Sequence, residues 1–196
     1  MALDARLLVS SVNKHIQLTP EEERFLIGSF VSRQVKQNDF LEEQGEPTQY
    51  FMFVNTGCLM TYHSDADDHD YVMQFAMPGW WTGDLASISK GIPSELSTRA
   101  LSDGEVLLIT RNGLDQLLEK HTRFERFYRI LFQNSLITQQ RRILQNLSAP
   151  AEERYKNFTK KYPTLEQFVP QKYIASYLGI TPEFLSKIRR KLMEKS

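Results

Sequence analysis

Hydrophobic and polar residues follow two different patterns along this chain. From about residue 33 to residue 110, short runs rich in β-branched and aromatic residues alternate with glycine, proline, aspartate or asparagine. Short strand signals with frequent glycine turns predict an antiparallel β-barrel or sandwich. After residue 112 the pattern becomes helical, and neither glycine nor proline occurs between Thr122 and Leu147. The chain is therefore predicted to have an α+β fold, with an N-terminal antiparallel β-barrel followed by helices.

A further helix is predicted before the barrel. Thr19 can cap it, Pro20 suits the first helical position, and Glu22 completes a capping box. Phe25, Leu26 and Phe30 supply its buried side.

The segment 122–147 predicts one long helix with a heptad seam. The hydrophobic residues Ile130, Ile137 and Leu144 recur every seven positions. A second set lies three positions earlier, with polar Asn134 between Phe127 and Arg141. A polar residue at such a position selects register and oligomer number. We therefore expect the chain to form a homodimer along this helix; packing of the helix on its own barrel is the alternative. The expected interface residues are Phe127, Ile130, Leu131, Asn134, Ile137, Arg141 and Leu144.

Residues 171–190 have the pattern of a helix-turn-helix. Small Ala175 lies where a second helix must approach, and Gly179 follows where the chain needs a positive φ. Thr181 can cap the second helix and Pro182 fits its first position. The pattern predicts a unit that reads double-stranded DNA; a helical hairpin that only closes a core is the alternative.

The charge of the chain is divided between its two parts. Residues 154–196 contain ten Lys or Arg and three Glu, a balance of +7. The whole chain has 24 of each sign, so residues 1–153 have 14 basic and 21 acidic residues, a balance of −7. A basic segment of this size suits phosphate neutralisation, whereas the acidic part would face away from DNA.

Composition argues against several other classes of protein. The single cysteine, Cys58, excludes an internal disulfide and a cysteine-ligated iron–sulfur cluster within one chain. The four histidines lack metal-ligand spacing, and no apolar run reaches a membrane-spanning length. The N-terminal residues show no signal-type cleavage pattern, so we expect a cytoplasmic location. No catalytic pairing is legible, and we expect no enzymatic activity, no metal and no cofactor.

The order of these parts resembles the CRP/FNR family of transcription factors (catabolite activators and fumarate/nitrate regulators) over nearly the full length. The matching motifs are Asn38–Leu41 through Gly45-Glu46-Pro47, Phe53–Gly57, Pro78-Gly79, Gly83-Asp84-Leu85, Ala151–Arg154 and Ile174–Leu192. The resemblance implies a cyclic-nucleotide-binding-like jelly roll with an N-terminal helix at 1–121, a dimerisation helix at 122–147 and a DNA-binding helix-turn-helix domain at 148–196. It also implies a homodimeric transcription regulator, with RNA polymerase as a further partner.

By the same resemblance, Glu183 and Lys187 are expected to read bases, because glutamate accepts from cytosine and lysine donates to guanine. Ser186 is short and can contact a base or a phosphate. A helix-dipole role is the alternative for Glu183, and plain solvation is the alternative for Arg189 and Arg190. The residues expected to contact DNA, as readers or as backbone-positioning groups, are Gln171, Lys172, Thr181, Glu183, Ser186, Lys187, Arg189 and Arg190.

The phosphate-binding cassette departs from the family pattern. Nucleotide-binding members end it with an arginine that neutralises the cyclic phosphate, followed by serine or threonine. Ser94 and Glu95 occupy those positions here, so cyclic AMP and cyclic GMP are not expected as ligands. The effector is unidentified, and an empty barrel is the alternative. The expected pocket residues are Trp81, Gly83, Asp84, Leu85, Ser94 and Glu95.

Two questions stay open at this point. Family members usually continue past the recognition helix into a short β-hairpin wing, whereas only four residues follow Leu192 here. A natural short form and a truncated chain have the same sequence. The functional alternative is a cyclic-nucleotide-binding-like signalling or sensor subunit that does not bind DNA.

Overall fold

Two antiparallel sheets form the centre of the protein, and helices precede, interrupt and follow them. The computed structural model describes residues 3–194. The strands are β1 (Val31–Val35), β2 (Phe40–Glu42), β3 (Tyr50–Thr56), β4 (Leu59–Ser64), β5 (Asp70–Ala76), β6 (Trp81–Thr82), β7 (Ser97–Ala100) and β8 (Gly104–Thr110). The helices are α1 (Arg6–Asn13), α2 (Pro20–Gly28), α3 (Leu85–Lys90), α4 (Arg111–Lys120), α5 (Arg123–Ser148), α6 (Ala151–Lys161), α7 (Gln171–Leu178) and α8 (Pro182–Met193), with a 3-10 turn at Leu165–Gln167. The expected α+β class, the long helix and the C-terminal helices are confirmed.

One sheet has the strand order β1-β8-β3-β6 and the other β2-β7-β4-β5. All pairings are antiparallel. The end of β3 pairs with the beginning of β8. Gly104 is required there because a Cβ on this residue would lie 2.3 Å from the Thr56 carbonyl oxygen. Strands β3 and β8 of the same sheet can therefore pair closely here only with glycine at position 104.

Alternating side chains along the strands divide the interior into three apolar clusters. Met52 and Val54 point between the two sheets, whereas Phe51 and Phe53 point to the other side of β3. That other side is covered by α1, α2, α4 and the beginning of α5. The outer face of β4 and β5 is covered by α6, α7 and α8. The C-terminal helices are thus packed on the barrel.

The capping box expected before the first sheet is confirmed. The Thr19 hydroxyl accepts from the Glu22 amide, and the Glu22 carboxylate accepts from the Thr19 amide at 2.8 Å. This reciprocal pair satisfies two amides at the start of α2.

The long helix α5 has two different halves. Near its beginning, Phe124, Phe127 and Tyr128 are buried against the barrel of the same chain. Phe127, which the heptad pattern assigned to the interface between copies, is only 2% exposed. This is a correction to the expected seam, because a side chain buried in its own protomer has no surface left for a partner.

The contact between the helix-turn-helix and the barrel uses the free edge of β5. The Ser176 hydroxyl accepts from the Val72 amide at 2.9 Å and donates to the Asp70 carbonyl at 2.5 Å. Arg142 of α5 donates to the carbonyls of Val72, Met73 and Tyr177. The edge strand therefore finds polar partners in α5 and α7 instead of another strand.

Candidate functional site

The C-terminal helices have the geometry of a helix-turn-helix. Helix α7 ends at Gly179, whose φ of 64° lies in the left-handed region expected there. The Thr181 hydroxyl accepts from the Phe184 amide at 3.2 Å, and Pro182 opens α8, as expected. Ala175 and Leu185 are fully buried where the two helices meet. Local sequence signals therefore determine both the turn and the packing of this unit.

The outward face of α8 carries a mixed set of polar groups. Glu183, Ser186, Lys187 and Arg190 are exposed, and Lys172 is exposed on α7. The backbone amide of Glu183 lowers the pKa of its own carboxyl, with smaller contributions from the Thr181 hydroxyl and the Lys187 charge. The face thus offers a charged acceptor beside cationic donors, the chemistry that base edges and phosphates require.

A hydrogen bond ties the two helices together at this face. The Gln171 side-chain amide donates to the Ser186 hydroxyl at 2.7 Å and to the Pro182 carbonyl at 3.2 Å. The Ser186 hydroxyl in turn donates to the Pro182 carbonyl at 3.1 Å. Gln171 and Ser186 therefore hold the entry of α8 against the start of α7.

Arg189 is placed differently from Arg190. It is half-buried, and its Nε lies 3.7 Å from a carboxylate oxygen of Glu166. Thr181 is likewise engaged in capping through its hydroxyl. Among the residues expected to touch DNA, those that are exposed are Lys172, Thr181, Glu183, Ser186, Lys187 and Arg190.

Phe184 is a residue that the sequence analysis missed. Its side chain is 48% exposed on α8, between Glu183 and the buried Leu185. Its spacing of four residues from the buried Ile188 places position 184 at the margin of the buried stripe, so the exposure of the ring depends on tertiary packing. An exposed aromatic ring at the start of this helix can contact a thymine methyl group.

The second half of α5 exposes five large apolar side chains, which we call the apolar stripe. Of the expected interface residues, Ile137 and Leu144 lie on it, whereas Ile130 and Leu131 are half-buried and Asn134 and Arg141 are exposed. Leu136 was noted in the sequence as additional apolar surface of this helix, whereas Ile143 and Leu147 were not, although their spacing of seven and four residues is the same kind of signal. The apolar stripe consists of Leu136, Ile137, Ile143, Leu144 and Leu147.

The cassette of the barrel is occupied by carboxylates. Asp84 caps α3 by accepting from the amides of Ala86 and Ser87, at 2.8 and 3.1 Å. It also accepts from the Ser94 hydroxyl at 3.0 Å and from the Glu95 amide at 3.2 Å. These donors, which would otherwise be open to a phosphate, are already bonded to an acidic side chain.

Glu42 adds a second carboxylate to the same place. It is buried, and it accepts from the Thr98 hydroxyl at 2.9 Å and from the Asp84 amide at 3.2 Å. A cyclic phosphate placed here would meet two acidic side chains, which repel it. The arrangement suits a closed structural network better than an anion site.

The other expected pocket residues line a cavity beside the cassette. Trp81, Gly83 and Leu85 line a cavity of about 430 Å³, which also borders α5. Trp81 stacks on Phe51 with 4.9 Å between ring centres. The expected pocket therefore divides into a polar group made of Asp84, Ser94 and Glu95 and an apolar group that faces the cavity.

Within residues 3–194, no group of His, Cys, Asp and Glu has an arrangement that could hold a metal ion. Burial raises the pKa of the Cys58 thiol to about 12. In the same part of the chain, no helix combines the length and apolar character that crossing a membrane requires.

The comparisons with known proteins address the fold and the barrel. Residues 32–121 match the family model of the cyclic nucleotide-binding domain. No curated protein matches the sequence. FixK2 from Bradyrhizobium japonicum superposes with a TM-score of 0.73 at 19% identity, covering 85% of each chain.

Two other solved structures are similar over most of their length. The c-di-GMP-responsive global regulator CLP of Xanthomonas campestris has a TM-score of 0.66 and 16% identity, with 90% of this chain and 93% of that chain covered. The catabolite activator protein of Thermus thermophilus has a TM-score of 0.57 and 18% identity, with 94% and 87% covered. These neighbours are transcription regulators of the CRP/FNR class. At these identities they show the shared fold.

Proposed function

We propose that this chain, which contains a cyclic nucleotide-binding domain and has the fold of the CRP/FNR regulators, is a sequence-specific DNA-binding transcription regulator that acts as a cytoplasmic homodimer. The observation that carries the proposal is the exposed face of α8, where Glu183, Lys187 and Arg190 project from a capped and fully packed helix-turn-helix. A helical hairpin that only closes a core does not require these exposed charged side chains. RNA polymerase is the further partner that we propose for such a regulator.

The placement of the exposed residues on this face supports two different proposed roles, base reading and phosphate binding. Glu183 and Lys187 lie one helical turn apart on the exposed side of α8 and are proposed to read bases. Lys172 and Arg190 are proposed to bind phosphates, which positions the unit. Gln171 is proposed to orient Ser186, and Arg189 to hold α8 on the domain through Glu166.

The apolar stripe of α5 supports the proposed dimer. Its five large side chains are each at least 45% exposed in the single chain, and a contiguous exposed apolar face marks an interaction surface. A parallel pairing of two such helices would place two recognition helices in successive major grooves, roughly 34 Å apart. The expected operator is therefore a two-fold-symmetric sequence.

Selection of bound duplexes from a random pool tests DNA reading and pairing together. The full chain should enrich a two-fold-symmetric site with half-sites about one helical turn apart. A matched selection with Lys187→Ala/Glu183→Ala should lose the symmetric motif. Failure of the folded wild-type chain to enrich any sequence at modest ionic strength would contradict the proposal.

Reader and positioning residues should respond differently to substitution. Lys187→Ala should relax the preference at one or two base positions, with a loss of about 1–3 kcal/mol on the preferred site. Arg190→Ala should weaken all duplexes alike and reduce the slope of log affinity against log salt by about one. Anisotropy titrations of both variants on matched and mismatched sites measure the difference. Equal losses on every sequence for both variants would refute this division.

Cyclic AMP and cyclic GMP are proposed not to be the effectors. The carboxylates of Asp84 and Glu42 already use the donors of the cassette. Neither nucleotide should raise the thermal unfolding midpoint at millimolar concentration, whereas a ligand at 100 times its Kd would stabilise the fold by about 2.7 kcal/mol. A cyclic-nucleotide-binding domain with the arginine intact is the positive control. A saturable shift with either nucleotide would count against this part of the proposal.

A further inference from the structure

The cavity beside the cassette lies at a junction of three parts of the molecule. Trp80 and Trp81 line it from the barrel, Thr138 from α5, and Tyr162 and Tyr177 from the C-terminal part of the chain. Its volume of about 430 Å³ is within the range of about 300–1,000 Å³ that small-molecule sites occupy. A ligand in this cavity would therefore contact the barrel, α5 and the C-terminal part of the chain at the same time.

Aromatic rings form much of the wall. The ring of Trp80 lies 5.6 Å from that of Tyr162, and Trp81 stacks on Phe51 at 4.9 Å. Flat apolar surfaces of this kind favour a flat apolar ligand, because aromatic rings gain most from offset or edge contacts with other rings.

Two cations line the same cavity without acidic partners. The Lys161 ammonium lies 5.0 Å from the ring centres of both Trp80 and Tyr162, and the Arg142 guanidinium lies 4.2 Å from that of Tyr177. Neither residue forms a salt bridge within residues 3–194, and the described lining contains no Asp or Glu. The positive charge at the cavity is therefore uncompensated by carboxylates.

Three buried polar groups on residues that line the cavity also lack a hydrogen-bond partner within residues 3–194. They are the indole Nε1 of Trp81, the guanidinium Nε of Arg142 and the hydroxyl of Tyr162. Buried polar atoms are nearly always bonded, so orphaned donors in one small region require an explanation. Because these atoms have almost no accessible surface, a ligand in the cavity would bond to them only after a shift of the cavity wall.

We propose that this cavity binds an organic anion with a flat aromatic body, with the acidic group near Lys161 and Arg142 and the body against Trp80 and Tyr162. The site adjoins the cassette at Gly83 and Leu85, but neither Asp84 nor Glu42, whose carboxylates disfavour a phosphate, lines it. The regulatory consequence of this binding rests on the proposed function, in which an effector controls the regulator. Binding of the anion to the cavity is tested directly and does not depend on that function.

The consequence for regulation follows from Arg142. The same guanidinium that faces the cavity donates to the carbonyls of Val72 and Met73 on the edge strand and to that of Tyr177 in α7. An anion that attracts this group competes with those carbonyls. Ligand occupancy is thereby coupled to the contact that holds the helix-turn-helix on the barrel.

Anilinonaphthalene sulfonate is a suitable probe, because it combines an aromatic body with a fixed negative charge. N-phenylnaphthylamine is its neutral counterpart and keeps the rings. Titration of the full chain, followed by tryptophan quenching and calorimetry, should show one sulfonate site per chain. Lys161→Met, which replaces an exposed ammonium by an apolar group of similar length, should weaken the sulfonate about tenfold and leave the neutral compound within about twofold.

Lys160→Met is the matched control, since Lys160 is exposed, adjacent and outside the cavity lining. Its affinity for the sulfonate should equal that of the wild type. Equal weakening in both lysine variants, loss of affinity for the neutral compound, or no binding of the sulfonate would overturn the proposal. Binding to the apolar stripe of α5 would be insensitive to Lys161 and would also overturn it. Because these titrations contain no DNA, a failed operator selection and a failed titration are distinguishable.

Discussion

Replacement of Leu144 by glutamate should leave a folded monomer that binds a two-half-site operator far more weakly than the wild type. Leu144 is 63% exposed at the centre of the apolar stripe of α5, so the substitution costs the single chain little. In the proposed dimer, two glutamates would face each other across an apolar seam, where burying unpaired charge is costly. Loss of linkage between the two half-site contacts should reduce affinity by about 10²–10⁴-fold.

Sedimentation velocity and anisotropy on the selected operator measure the two effects in parallel. Asn146→Glu is the matched control, because Asn146 is exposed on the same helix and outside the apolar stripe. That variant should remain dimeric and keep its affinity within a few fold. A Leu144→Glu protein that still sediments as a dimer would show that the apolar stripe is not the pairing surface.

The features that depend on neighbouring residues in the chain were predictable from the sequence. The capping box of Thr19 and Glu22, the left-handed Gly179 and the Thr181 cap each involve groups within a few positions of one another. Such signals carry their own geometry, because the backbone donors at a helix end lie within one turn of the capping side chain. The helix-turn-helix could therefore be located without any knowledge of the rest of the fold.

The seam of α5 was less predictable, because periodicity shows that a helix has an apolar face but does not show which neighbour covers it. Phe127 has the right spacing for the seam, yet it packs into the cluster that α1 and α2 also cover. Leu147 differs from Phe127 in the opposite sense, because it was not among the expected interface residues and its side chain is 82% exposed. The choice between barrel and partner depends on where the helix leaves the barrel, which is a property of the tertiary fold.

The charged sites show a similar limit. Counting charges identifies a basic C-terminal segment, but it does not show that Arg189 lies beside Glu166. The cassette illustrates the same point, since a missing arginine is visible in the sequence whereas the bonds of Asp84 to Ser94 and Glu95 are not. The junction cavity was hidden for the same reason, because its lining comes from segments about a hundred residues apart.

Two adjacent residues on α8, the proposed recognition helix, should separate folding from DNA recognition. Leu185 is fully buried between α7 and α8, whereas Phe184 is 48% exposed. Leu185→Ala removes a core side chain and should lower the free energy of unfolding by about 2–5 kcal/mol. Because α8 is then no longer held against α7, binding to every duplex should fall together with stability. Chemical denaturation monitored by circular dichroism, alongside anisotropy, measures both.

Phe184→Ala should have the opposite profile, because an exposed side chain contributes little to the core. Its free energy of unfolding should change by about 0.5 kcal/mol or less. Affinity for the selected operator should nevertheless fall, and preference for thymine at the contacted position should weaken, since the exposed ring lies beside Glu183 near the start of the proposed recognition helix. A Phe184→Ala variant with unchanged preference at every base would remove the ring from the reading surface, whereas a Leu185→Ala variant that stays fully stable would show that the α7–α8 packing does not hold the recognition helix.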